Sequence, residues 1–269
     1  MTSPSGIITL LTDFGLMDPY VGVMKGAILG VFGQARIVDL THEIPAQQVA
    51  EANFALRGSF AHFPQGTVHV VVVDPGVGSD RRIVCACSEG MTFLAPNNGV
   101  LTGIVRRGDP VFEVVNRELF LGGSISQTFH GRDVLAPVAA HLASGTPPEQ
   151  VGPAFSDLLR LDLPEPSHAD PDTILGQVIH VDRFGNLITN IRVEDLLELE
   201  EETVSVTFRG QEIGQPVDSY AAVPTGATLA VVDSFGFLEI AVNRGSASNH
   251  FNATRGDRLK VEGRRVRGS

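Results

Sequence analysis

Short apolar runs alternate with helical spacing through the first half of the chain. Ile7-Ile8-Thr9-Leu10-Leu11 reads as a buried strand and stops at a polar turn, Thr12-Asp13-Phe14-Gly15. Val21, Met24, Ile28 and Val31 then recur at helical spacing, which predicts a helix over 19–32. Residues 35–40 (ARIVDL) predict a strand and 46–62 a second helix. Val68 to Val73 (VHVVVV) is the clearest buried strand, and it runs directly into Asp74-Pro75-Gly76-Val77-Gly78. Residues 83–87 and 92–95 predict a hairpin, 97–105 a helix, and 134–144 an amphipathic helix stopped by Gly145 and Pro147-Pro148. Strand and helix in alternation predict an α/β domain with a largely parallel sheet over 1–161.

The pattern then breaks. Residues 162–173 (DLPEPSHADPDT) are acidic and rich in proline, the composition of a linker. Beyond them, strand patterns at 174–182, 187–192, 203–208, 227–232, 237–242 and 257–262 are separated by turn residues. Residues 174–269 therefore predict a small all-β, barrel-like domain. The run Glu198 to Glu202 (ELEEE) reads as a solvated surface.

Composition narrows the classes of function. The chain has 269 residues, 31 acidic and 20 basic, for a net charge of −11, which argues against a general phosphate-backbone footprint. A chain of this length buries enough apolar surface to need no disulfide or metal staple. Its two cysteines, Cys85 and Cys87, share one face of a strand as small apolar groups, and no further thiols complete a metal site. The start MTSPSGIITLL has no basic segment, and its apolar run ends at Thr12-Asp13, unlike a signal peptide or a membrane span. The expectation is a cytoplasmic protein that binds neither nucleic acid nor membrane.

Three polar motifs stand where α/β sheets build their sites, at the carboxyl ends of strands. They are Thr12-Asp13-Phe14-Gly15 with Asp18, Asp74-Pro75-Gly76-Val77-Gly78-Ser79-Asp80-Arg81, and Phe129-His130-Gly131-Arg132-Asp133. A carboxylate at the end of an apolar strand is partly desolvated and can hold a hydroxyl or orient a water. Each motif alone also fits a turn or a helix cap. Gly76-Val77-Gly78 lacks the third glycine of a dinucleotide fingerprint, and the Gly-Lys-Ser/Thr of a P-loop, a G-x-S-x-G elbow and H-E-x-x-H are missing. In the second half, Asp182-Arg183-Phe184-Gly185-Asn186 with Thr189-Asn190, and Asp233-Ser234-Phe235-Gly236-Phe237 with Glu239 and Asn243, combine stacking faces with amides. That pairing suits a flat heterocycle, and equally a hairpin turn.

In order along the chain, TDFG, VDPGVGSDRR, APNNGVL, FHGRD, DRFGNLITN and DSFGFLEIAVNRG resemble the S-adenosylmethionine (SAM) hydrolases, or SAM hydroxide adenosyltransferases, relatives of the fluorinases and chlorinases. The resemblance spans Ile7 to Val261. It implies hydrolysis of SAM to adenosine and methionine without a cofactor or metal, in a homotrimer with active sites at subunit interfaces. The family's water-handling Asp-Arg-His triad falls on Asp74, Arg81 and His130. Asp13 matches the ribose-diol carboxylate; Asp18, Asp182 and Ser234 match positions at the methionine; Phe184 and Asn186 match adenine contacts. Asp74 and the pair His130-Gly131 align with the hydrolases, because the halogenases carry Tyr and Tyr-Ser there. Gln47 stands where a halogenase Trp covers the ribose, Phe235 where an Arg meets the methionine carboxylate, and Tyr20 replaces a Ser. The alternatives are a SAM- or adenosine-binding sensor with negligible turnover, and a SAM-dependent halogenase.

Overall fold

A computed structural model of the chain describes residues 3–266 and divides into two units, Met1–Asp162 and Leu163–Ser269. The first unit is built on six strands: β1 (Ile7–Thr12), β2 (Arg36–Thr41), β3 (Val68–Val72), β4 (Ile83–Ser88), β5 (Met91–Pro96) and β6 (Val111–Glu113). Their spatial order is β2-β1-β3-β5-β4-β6, with the first four parallel and β4 and β6 joined by antiparallel pairing. β3 is buried along its whole length, as its valine-rich run requires of a central strand covered on both faces. Helices α1 (Tyr20–Val31) and α3 (Ala136–Ser144) cover one face through Met24, Ile28, Val138 and Leu142. Helix α2 (Val49–Ser59) covers the other through Ala52 and Leu56. The β4–β5 hairpin turns on Glu89 and Gly90, both at positive φ, the conformation that a two-residue turn demands.

Residues 97–105, which the apolar spacing predicts as a helix, are instead a series of turns. Gly99 and Gly103 adopt φ of +92° and +75°, left-handed values that no helix continues through. Side chains take over the backbone's polar groups: Asn98 Nδ2 donates to Val73 O at 2.8 Å, and Asn53 Nδ2 to Val100 O and Thr102 O at 2.8 and 2.7 Å. Val100, Leu101, Ile104 and Val105 are still buried, so the pattern reports burial correctly and conformation wrongly.

The second unit contains β7 (Ser167–Asp170), β8 (Thr173–Val181), β9 (Leu187–Arg192), β10 (Ser205–Phe208), β11 (Gln211–Gly214), β12 (Pro216–Val217), β13 (Thr228–Val232), β14 (Phe237–Val242) and β15 (Arg258–Glu262). The short helices α4 (Val193–Leu196) and α5 (Ala247–Phe251) complete it. The strand order is β11-β10-β15-β8-β9-β14-β13-β12, antiparallel apart from β12 with β13. β8 pairs with β15 through its first half and with β9 through its second, with a register shift between Val178 and His180. A long strand shared in this way, bent by a bulge, curls the sheet into a barrel-like all-β fold. Its core includes Ile174, Leu187, Val206, Phe208, Leu238, Ile240 and Val261.

The acidic segment 162–173, expected as a linker, carries β7, which pairs with β8 as an exposed edge strand. Its charges and prolines are those an edge strand tolerates. In the glutamate run, Leu199 is buried at 3% exposure while the flanking acids are exposed. Among the described residues no helix is long and apolar enough to cross a membrane.

His69 anchors β3 laterally. Its Nδ1 lies 2.8 Å from Thr9 Oγ1 on β1, and its ring stacks on Phe93 of β5 at 5.1 Å between centroids. Burial holds its pKa down at about 4, against 6.5 for an ordinary histidine. The unfolded chain therefore takes a proton that the folded chain refuses. Stability is complete above pH 6.5 and declines by ~3 kcal/mol as the pH falls toward 4. In urea titrations, His69→Gln is expected to lose this component of the acid slope and the wild-type chain to retain it.

Candidate active site

Asp74 emerges just beyond the carboxyl end of β3. The chain then folds back on itself through two hydrogen-bonded turns, Val77 N–H to Asp74 O at 3.2 Å and Ser79 N–H to Gly76 O at 3.1 Å. Gly78 completes the reversal at φ +80°, where a Cβ would lie 2.6 Å from Gln127 O. This returns Arg81 to Asp74. Arg81 Nε donates to both carboxylate oxygens at 2.8 and 2.9 Å, and Nη2 bonds Oδ2 as well. Both side chains are nearly buried, at 6% exposure for Asp74 and 11% for Arg81.

The same Nη2 lies 2.7 Å from His130 Nδ1. A guanidinium only donates, so Nδ1 is the acceptor and the neutral ring carries its proton on Nε2. Burial, reinforced by the Arg81 cation, pushes the His130 pKa below its ordinary value, with Asp74 and Asp133 partly opposing. The result is a carboxylate fixed by a guanidinium, beside a neutral imidazole whose remaining N–H is a donor. Such a set can hold a water between an acceptor and a donor.

His130 is positioned by the π-helical turn Gly131–Leu135 that leads into α3, a geometry frequent at functional sites. Gly131 is buried, and a Cβ there would lie 3.2 Å from Met24 Sδ and 3.3 Å from Val72 Cγ1. Its missing side chain lets the turn lie against α1 and β3, so any contact it makes with a ligand goes through its backbone. Asp133 is buried, and its carboxylate takes Arg132 Nε at 2.5 Å and Ser126 N–H at 2.7 Å. The Arg132 hydrogen bond holds its pKa below the usual carboxylate range.

Asp13 sits in the turn after β1, where its Oδ2 accepts the Gln47 N–H at 2.8 Å. Asp18 is exposed two residues before α1. Phe14, Tyr20 and Phe129 form an aromatic cluster with centroids 5.4 to 5.8 Å apart, which the sequence spacing did not reveal.

The second unit presents two loops of identical construction. Asp182 Oδ1 accepts the Phe184 and Asn186 N–H groups, each at 2.8 Å, and Asp233 Oδ1 accepts those of Phe235 and Phe237 at 2.8 and 2.9 Å. Gly185 and Gly236 close them at φ of +83° and +81°. Each loop exposes one phenyl ring, Phe184 at 75% and Phe235 at 46%. Asn186 is buried and donates from Nδ2 to Asp182 Oδ2 at 3.0 Å, while Ser234 is exposed. A neighbouring pair is only half visible in the sequence: buried Glu239, which belongs to the second motif, accepts the hydroxyl of Tyr220, which belongs to none, at 2.8 Å. Burial, with Asp182 and Asp233 nearby, raises the Glu239 pKa to about 7.

Models of known families match both units. The SAM hydroxide adenosyltransferase N-terminal domain matches residues 8–152, and the SAM hydroxide adenosyltransferase C-terminal domain matches residues 176–260. An (R)-S-adenosyl-L-methionine hydrolase of Thermus thermophilus is 38% identical, over 89% of this chain and 93% of the relative. A fluorinase of Nocardia brasiliensis is 28% identical over 97% and 99%. The crystal structure of an uncharacterized conserved protein from Thermotoga maritima superposes with a TM-score of 0.87 at 38% identity, covering 94% of this chain and 99% of that one.

The contact between Arg81 and His130 has a measurable signature. Removing the guanidinium in Arg81→Ala takes away a cation that disfavours imidazolium and leaves Asp74, which favours it. The His130 pKa, followed by NMR titration of its ring, is therefore expected to rise in Arg81→Ala relative to the wild-type chain. A lower or unchanged value would contradict the arrangement.

Proposed function

The chain belongs to the SAM hydroxide adenosyltransferase family, and we propose that it is a cytoplasmic enzyme hydrolysing S-adenosyl-L-methionine to adenosine and L-methionine. The observation that carries the reading is the fork of Arg81 on Asp74 with His130 bonded to the same guanidinium. Water oxygen attacks the ribose C5′, the C5′–S bond breaks, and sulfur keeps the electron pair, so methionine leaves as a neutral thioether.

A hydroxide-like nucleophile and a sulfonium merge opposite charges in this transition state, so a site that strips water from both favours it. Holding the water in line with the C5′–S bond removes orientational entropy, worth up to ~7–11 kcal/mol in ideal cases. His130 Nδ1 is already occupied by Arg81, and its Nε2 carries a proton. Asp74 is therefore the member of the three with lone pairs free to take the water's proton. Arg81 fixes that carboxylate's rotamer and offsets its charge, and His130 Nε2–H donates to the water oxygen. No step calls for a cofactor or a metal.

Substrate contacts follow the same reading. Asp13 takes the ribose diol, Phe184 stacks on the adenine and Asn186 reads its edge, and Asp18, Asp182, Ser234 and Phe235 face the methionine end. Asp74 and the buried Gly131 support the hydrolase over the halogenase. We further propose a homotrimer in which each site joins the first unit of one copy to the second unit of another. The outward face of α1 supports such a contact: Gly22, Gly26 and Gly30 have open space beside them, with Val23 and Leu29 exposed among them.

With SAM in ¹⁸O-labelled water, the label is expected in the adenosine 5′-hydroxyl, read by mass spectrometry. Label in methionine, or no adenosine, would sink the hydrolase reading, and a sensor without turnover would give the second result. Asp74→Ala is expected to lose turnover by ~10²-fold or more with little change in SAM affinity. Mixing Asp74→Ala with Asn186→Ala protein should restore part of the activity, because some shared sites then carry both native residues. If both variants stay inactive after confirmed subunit exchange, each site is built within one chain.

A further inference from the structure

A polar chain beside Asp13, buried at Thr12 and His42 and open to solvent at Asp39, takes no part in the reaction as derived. Thr12 is fully buried at the end of β1, with Oγ1 2.9 Å from His42 Nδ1. His42 is 4% exposed, its Nε2 faces Asp39 Oδ1 at 3.1 Å without the alignment of a hydrogen bond, and Lys25 Nζ lies 2.6 Å from Asp39 Oδ2. Burying an imidazole is costly unless its nitrogens find partners, and an apolar residue would fill the space more cheaply if packing were its whole purpose.

The backbone around it explains the placement. Leu10 pairs with Asp39 and Leu11 with Thr41, so Leu40 is an extra residue on β2, two residues before His42. A bulge of this kind re-aims the residues that follow it. His42 O then accepts the Gly15 N–H at 2.8 Å, and Thr12 Oγ1 accepts the Phe14 N–H at 3.3 Å. Gln47, five residues beyond His42 and at φ +66°, donates its N–H to Asp13 Oδ2 at 2.8 Å. The turn that carries Asp13 is thus tied on both sides to His42 and to the loop that His42 begins.

We propose that His42 is a positioning residue for Asp13: bonded to Thr12 and facing Asp39, it sets the direction in which the carboxylate meets the substrate's ribose, and so the selectivity for a 2′-hydroxyl. This rests on the reading that Asp13 takes the ribose diol. Two hydroxyls held by one carboxylate demand a fixed angle, because hydrogen bonds weaken steeply off their axis. A slack turn would keep the charge and lose the discrimination.

The test is the ratio of kcat/KM for SAM to that for its 2′-deoxy analogue. Both constants come from one preparation, so the ratio does not depend on the fraction of folded enzyme. His42→Ala is expected to lower the ratio about tenfold or more, through KM for SAM, with the pH profile of kcat unchanged. His42→Asn, whose amide reaches Thr12 from the position of Nδ1, should recover most of the ratio, and Thr12→Val should lose it. A wild-type ratio in His42→Ala, alongside a collapsed ratio in Asp13→Ala, overturns the role of His42 alone. A wild-type ratio in Asp13→Ala overturns the ribose reading and this proposal with it.

Discussion

One guanidinium organises the first unit's site. Arg81 spends its donors on Asp74 and His130, and each of those bonds constrains something else. The carboxylate sits in a nearly dry position, where a charge needs a partner, and the guanidinium forked onto it is that partner. The imidazole can remain neutral with a defined tautomer only because Nδ1 has a donor facing it. The reversal after β3, with its left-handed Gly78, exists to bring that guanidinium back over the strand end. Loss of Arg81 would leave a buried charge and a histidine free to titrate, so the electrostatics and the loop geometry form one constraint.

Much of this was legible in the sequence, for identifiable reasons. The valine-rich β3 and six of the nine strands of the second unit are read correctly because burial on one or both faces leaves an apolar signature that turns do not imitate, whereas the short β11 and β12 leave none. Residues 97–105 defeat the same method. Their apolar residues are buried at helical spacing, but Gly99 and Gly103 have left-handed φ and asparagine side chains satisfy the backbone instead. β7 was hidden for the opposite reason: as an exposed edge strand it buries nothing, so its composition reads as a linker.

The site shows the same division. Asp74, Arg81 and His130 stand out in motifs, but spacing cannot show that Arg81 bridges the other two, since His130 is 49 residues away from it. His42 belongs to no metal-ligand spacing, so no motif marks it. Its meaning lies in a β-bulge that only strand register exposes. Glu239 stands in a motif, and its partner Tyr220 lies outside every motif. Long-range hydrogen bonds between unremarkable residues are what a linear reading misses.

The twin loops of the second unit have an evolutionary consequence. In each, an aspartate satisfies two backbone amides and a glycine makes the left-handed turn, so two of the five side-chain positions set the frame. The residues between, Arg183 and Phe184 in one loop and Ser234 and Phe235 in the other, carry none of that burden. They can drift without refolding the barrel. Such cassettes let a lineage exchange the groups that greet a ligand while the scaffold beneath is inherited intact.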